Sequence, residues 1–392
     1  MTAAHAFWAA RPEPSVAAEI PGVWARFMAE ADALADVFDG RTTGEMQVVI
    51  PEAMARILGP FDDRIQWEFG PGSAAGSDKA HMLALSTELR QEDRPLVDAL
   101  MAAAPDHPRM ALTEPRPPAP DVERAAGQLL GRAGGRVQLT GARAEPSEHG
   151  TLDIVGIGPG DAERLGGEAG VAFSVLAGEA VERDWLGTTR GERQGGGLLG
   201  RLFGKRDEGA DWLAAFHAEW TAALRSLRDA IPAEPFADQR ADGGETLFRY
   251  DPALNDWQDD PRGDTITYAT RHPDLAAARQ AGIRIAACRY TRHAESFLGL
   301  RLARTEAQPF DQVTERGQVA EALDAALRAR SLGGVWGEGH GQAHVYIDFT
   351  AGDIDAAIDT VRGVMAAEAV VAPGAILFDE AGLETRVLPL EP

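Results

Sequence analysis

His344-Val345-Tyr346-Ile347-Asp348-Phe349 reads as a strand, and after the short break at Gly352-Asp353 the residues Ile354 to Met365 read as a helix, with apolar side chains returning every three or four positions. The same change of period recurs on both sides. Upstream, Thr246 to Tyr250, Asp264 to Thr270, Ile283 to Tyr290 and Phe297 to Ala303 are predicted strands and Val313 to Arg330 a predicted helix. Downstream, Ala375 to Phe378 and Thr385 to Leu390 close the pattern as strands. A helix from Ala210 to about Asp229 opens this region, with Trp212, Leu213, Phe216, Trp220, Leu224 and Leu227 at three- and four-residue steps.

The N-terminal part begins in the same way. Val23, Trp24, Phe27, Leu34, Val37 and Phe38 recur at helical spacing after Pro21, which predicts a helix from Pro21 to about Phe38. Met46 to Ile50 is predicted as a strand closed by Pro51. Ile65-Gln66-Trp67-Glu68-Phe69 alternates before the turn residues Gly70-Pro71-Gly72 and pairs with Met82 to Ser86. A helix over Arg94 to Ala103 and a strand over Arg109 to Thr113 follow. Four prolines in Glu114 to Pro120 predict a stiff connection and a domain boundary. Beyond it, Asp121 caps a helix through Leu130, and Val137 to Leu139, Leu152 to Ile157 and Val171 to Ala180 are predicted strands. Gly191 to Gly209 holds seven glycines and reads as a flexible linker; its Leu198, Leu199, Leu202 and Phe203 give the alternative of a short amphipathic docking turn.

Together these elements specify an α+β protein with antiparallel or mixed sheets packed by amphipathic helices in two to three domains. The expected division is 1–116, then 121–190 packed with the first, a linker at 191–209, and 210–392. Both halves open on a Trp-bearing helix, but no residue-level repeat relates them.

Composition narrows the class of partner. The 392 residues carry 61 Asp and Glu against 38 Lys and Arg, a formal charge of −23, which repels phosphate backbones and anionic headgroups. A nucleic-acid ligand is not expected. The basic residues are arginine except Lys79 and Lys205, and five of them fall between Arg190 and Arg206, where any contact with anionic material is expected. Cys288 is the single cysteine; it allows no internal disulfide and is expected to be a buried structural thiol. Arg11, Pro12, Glu13 and Pro14 interrupt any leader-like apolar run, and no stretch approaches the roughly 20 apolar residues of a membrane span. The expected location is the cytoplasm.

Two strings hold candidate chemistry. Leu152-Asp153-Ile154-Val155-Gly156-Ile157-Gly158-Pro159-Gly160-Asp161 runs from a strand into a glycine turn and the start of a helix. The third glycine of a dinucleotide fingerprint falls on Asp161, so that motif fails. The alternatives are plain turn geometry and a cofactor turn built from Gly156, Gly158, Gly160 and Asp161. Gly337 to Asp348 gathers two histidines and two carboxylates. His344 and Asp348 share one strand face, and His340 reaching back from a glycine loop would complete a metal site; otherwise these are a turn and a half-buried strand. The acids Asp256, Asp259, Asp260 and Asp264 lack the spacing of a calcium loop. Neither a phosphate loop nor a Gly-x-Ser-x-Gly nucleophile turn occurs.

The string from Leu152 to Asp161 resembles the opening of tetrapyrrole methylases over about a dozen residues, which implies a loop shaping an S-adenosylmethionine site. Gly166-Gly167-Glu168-Ala169-Gly170 departs from the helix that family carries next. Trp24-x-x-Phe27, Ile65 to Pro71, Leu83-Ala84-Leu85-Ser86 and Ala104-Pro105 resemble the N-terminal part of a bacterial protein family of unknown function, over about residues 20–116. That resemblance implies an α+β module and no reaction. No cofactor is assigned. The expectation is a non-enzymatic binding or regulatory protein holding a protein or small-molecule partner, with neutralisation of a basic partner such as a toxin as its sharper form. The alternatives are an enzyme using the glycine turn or the His340, His344, Asp348 group, and a homo-oligomeric structural protein.

Overall fold

A computed structural model describes residues 14–41, 46–87, 93–194, 211–239, 246–251, 264–310, 313–379 and 387–390. Nine helices and thirteen strands in antiparallel and mixed sheets lie among them, an α+β architecture. No described helix is long and apolar enough to cross a membrane. The chain divides into two units, one of Trp8–Ser147 with Leu152–Ser226, the other of Leu227–Pro392 with Glu148–Thr151.

The first unit holds α1 (Pro14–Phe38), α2 (Met46–Leu58), β1 (Gln66–Pro71), β2 (His81–Ser86), α3 (Arg94–Ala102) and β3 (Met110–Thr113). Strand β1 pairs antiparallel with β2, Trp67 opposite Leu85, and β2 runs parallel to β3 with α3 as the crossover. Helix α1 buries Ile20, Val23, Trp24, Phe27, Ala31 and Leu34, each large side chain worth about 1.5–3 kcal/mol, and Trp24 Nε1 donates to the Leu100 carbonyl at 2.9 Å. The helix begins seven residues before the predicted start at Pro21. Met46 to Ile50 is not a strand: the apolar set Ile50, Ala53, Met54, Ile57 and Leu58 continues at helical spacing through Pro51 and buries one helix face.

The chain then repeats this topology with α4 (Val122–Arg132), β4 (Gly141–Pro146), β5 (Leu152–Gly158), α5 (Ala162–Trp185) and β6 (Leu186–Arg193). Strand β4 is antiparallel to β5, and β5 is parallel to β6 through α5. The predicted strand Val171 to Ala180 is helical on both sides of a kink in α5 at Gly178, whose φ is 75°; Ala172, Phe173, Val175 and Leu176 are buried on all sides there and so show no amphipathic period. Val137 to Leu139 is not a strand either; the Gln138 and Leu139 N–H groups donate to the Glu168 carboxylate. The proline segment is fixed along α5, where Ala119 N–H donates to Val175 and Glu179 N–H to Arg116. Gly191 to Arg193 belong to β6, whereas 195–209 of the expected linker, with its docking turn, lies outside the described residues. Arg190, counted among the linker's positive residues, is ion-paired to Glu145 at 2.6 Å and Glu192 at 2.7 Å. Helix α6 (Asp211–Ala230), read as the opening of the C-terminal domain, groups with this unit through Ser226, its Trp220 edge-on to Phe173 at 5.4 Å.

The second unit is built on an antiparallel seven-stranded sheet of β7 (Thr246–Tyr250), β8 (Ile266–Thr270), β9 (Ser296–Ala303), β10 (Val335–His340), β11 (His344–Ala351), β12 (Gly374–Phe378) and β13 (Val387–Leu390), in the order β13-β12-β9-β11-β10-β8-β7. Helices α7 (Pro273–Gln280), α8 (Val313–Ala329) and α9 (Ile354–Ala367) complete it. Ile283 to Tyr290, predicted as a strand, is irregular with one 3-10 turn at Ala287–Arg289, and its buried Ile285, Ala286 and Ala287 fill the core without joining the sheet. Cys288 on that turn is exposed, contrary to the buried thiol expected from its apolar neighbours.

Candidate functional site

The glycine turn after β5 is closed by the protein's own atoms. A Cβ on Gly156 would lie 2.3 Å from the Leu165 carbonyl oxygen, on Gly158 2.3 Å from that of Gln138, and on Gly160 2.0 Å from the Gln138 side chain. These glycines let α5 and the 138 segment press onto the strand. Asp161 is the N-cap, its carboxylate accepting from Arg164 N–H at 2.9 Å. In the structure Gly156, Gly158, Gly160 and Asp161 join strand to helix, the plain turn geometry of the two alternatives.

His340, His344 and Asp348 do not converge. In the β10–β11 hairpin His340 pairs with Val345, which puts it on the opposite sheet face from His344, Tyr346 and Asp348. Among the described residues no group of three or more His, Cys, Asp or Glu is placed to hold a metal ion. The string from Gly337 is a strand and not a loop. Gly337 and Gly339 clear one face of β10 so that the Tyr268 phenol lies across it; a Cβ on Gly337 would stand 2.3 Å from the Tyr268 oxygen. That phenol donates to Asp348, which is fully buried and also ion-paired to Arg279 at 3.0 Å. Arg279 reaches Asp379 at 2.7 Å with its other nitrogen, and its guanidinium lies 5.6 Å from the Tyr268 ring centre and 5.5 Å from that of Trp336. Burial, then the Asp348 charge, pushes the Tyr268 phenol well above its usual range, so it stays a donor. Asp348 is thus committed to an internal ion network. His344 has its pKa lowered by burial and by Arg301. Asp264 accepts the N–H groups of Gln342, Ala343 and His344 and pins the hairpin turn, while Asp256, Asp259 and Asp260 lie outside the described residues.

An open groove of about 820 Å³ lies elsewhere, between β1 and α4 in the first unit. Strand β1 is an edge: β2 covers one side and no strand pairs with the other among the described residues. Trp67 and Phe69 border one wall, their half-buried rings edge-on at 5.7 Å and packed on the core beside Phe38, on the sheet face opposite Glu68. On α4, Gly127 and Gly131 leave the opposite wall empty, and a Cβ added to either would meet no atom within 4 Å. Glu68 bridges the walls to Gln128 and to Arg132, the latter at 3.5 Å. Asp121, Glu123 and Arg124 complete the lining. The matching edge in the repeated motif is also unpaired by a strand, but one of its groups is met by a side chain: the Ala144 N–H of β4 donates to Glu219 of α6 at 3.0 Å.

The sequence named Trp67, Glu68 and Phe69 only as a strand. Their meeting with α4 depends on a contact some 60 residues apart, and the helix predicted from Asp121 through Leu130 held Gly127 but stopped one residue short of Gly131. No match to this chain was found among protein-family models, curated proteins or solved structures.

Proposed function

We propose that this chain is a non-enzymatic binding protein, and that the groove between β1 and α4 holds a segment of a partner protein. The observation that carries this reading is the groove between β1 and the glycine-notched α4 beside an open strand edge, whose counterpart on β4 has its Ala144 N–H taken by Glu219. Open edges are ordinarily covered or blunted, and one backed by aromatic rings suits a docking chain. The candidate chemical groups give weaker support to catalysis, because Asp348, Asp264 and Asp161 each hold the fold together. With a formal charge of −23, neutralisation of a basic partner such as a toxin is the favoured form of this function.

The test is selection of peptides from a random display library by the full chain and, in parallel, by Gly127→Leu/Gly131→Leu, which fills the empty wall. Peptides that bind the first and not the second are the expected result. A library in which every enriched peptide binds both proteins equally refutes the groove as the site.

A further inference from the structure

We infer that the occupant of the groove is an extended, lysine- or arginine-bearing segment of a partner, added to the sheet as a strand beside β1. The inference rests on the groove being a binding site and specifies its ligand. Three observations lead to it. First, β1 pairs on one side only, so alternate N–H and C=O groups point into the groove and match an extended backbone better than a helix or a compact metabolite.

Second, a second copy of this chain is a poor occupant, since two molecules of charge −23 repel as they approach. A segment of opposite sign gains from the same field. Third, the groove is lined by three acids and two arginines, and since Glu68 and Arg132 neutralise each other, Asp121 and Glu123 stand against Arg124 alone. Glu123, exposed, stands on the same helical wall as the glycine notches, four and eight residues before them. A cationic side chain entering there meets the exposed carboxylate of Glu123 and, across the groove, the Trp67 to Phe69 stretch of β1.

The experiment measures fluorescence anisotropy of labelled peptides of about ten residues, long enough to span one strand, against the full chain. The probes are alternating Lys-Val, alternating Ser-Val, alternating Glu-Val, and Lys-Val methylated at every backbone amide. Lys-Val is expected to bind about tenfold or more tightly than Ser-Val or its own methylated form, and to lose about tenfold or more on Gly127→Leu/Gly131→Leu. Thermal unfolding of that variant is measured alongside, and neither glycine has a positive φ or a neighbour that a side chain would strike. Lys-Val binding no tighter than Ser-Val, or a methylated peptide that binds equally well, overturns the inference. If Ser-Val binds and loses affinity on the filled variant, the groove stands and its cationic strand ligand falls. If every bound peptide ignores the filled groove, both fall.

Discussion

At the scale of single residues, the charged interior of the seven-stranded sheet is where a change does most damage. Arg279 is the cation between Asp348 and Asp379, all three at most 6% exposed. Arg279→Met removes it and is expected to cost about 3–5 kcal/mol, because two carboxylates are left buried together. Tyr268→Phe removes only the phenol donated to Asp348 and is expected to cost about 1–3 kcal/mol. Chemical denaturation of both variants checks this order. His272 offers a pH signature. It stacks on Phe236 at 3.8 Å with its Nε2 buried, and burial, aided by Arg271, lowers its pKa to about 4. The unfolded chain, with a histidine near its ordinary value, therefore binds the proton more readily between those values. Stability from this site is complete above about pH 6.5 and is lost as the pH falls toward 4, by up to about 1.4 kcal/mol per unit. Unfolding free energies at pH 7 and 5 should differ by less in His272→Phe than in the parent chain, the carboxylates being common to both.

At the scale of elements, Gly127→Leu/Gly131→Leu separates a packing glycine from an open one. Both positions are helical and unopposed, so each replacement is expected to hold or raise stability, by up to about 1 kcal/mol. Melting temperature checks this. The helices α1, α6 and α9 were legible because one face of each is buried, and β2 and β11, buried on both faces, were legible as short apolar runs. The failures have identifiable causes. Proline at 51 read as a stop, although a helix with a buried face carries it. The middle of α5 is covered all round, which erases the period that tells helix from strand. Alternating glycines in β10 looked like a loop because the side chain that fills their space, Tyr268, comes from another strand. The sites were less legible still. His340 and His344 lie close in sequence, but the hairpin register alone decides which face each takes.

At the scale of the molecule, the repeated order of helix, hairpin, crossover helix and parallel strand in 14–193 is a finding of topology that the residues do not advertise. One copy has a backbone group of its leading edge taken by Glu219 of α6, and the other faces an open groove. An unsealed edge is also a hazard, for its backbone groups alone do not distinguish an identical strand from a foreign one; only the repulsion between like-charged copies does. The acid excess then takes on a second meaning, as the colloidal guard of that edge. Near the isoelectric point of about 4.8, or in strong salt, the repulsion between copies is cancelled or screened. Light scattering is expected to report self-association under both conditions and to fall back in the groove-filled variant. The exposed edge of β1 would thus set the conditions under which this protein can be stored as a single species.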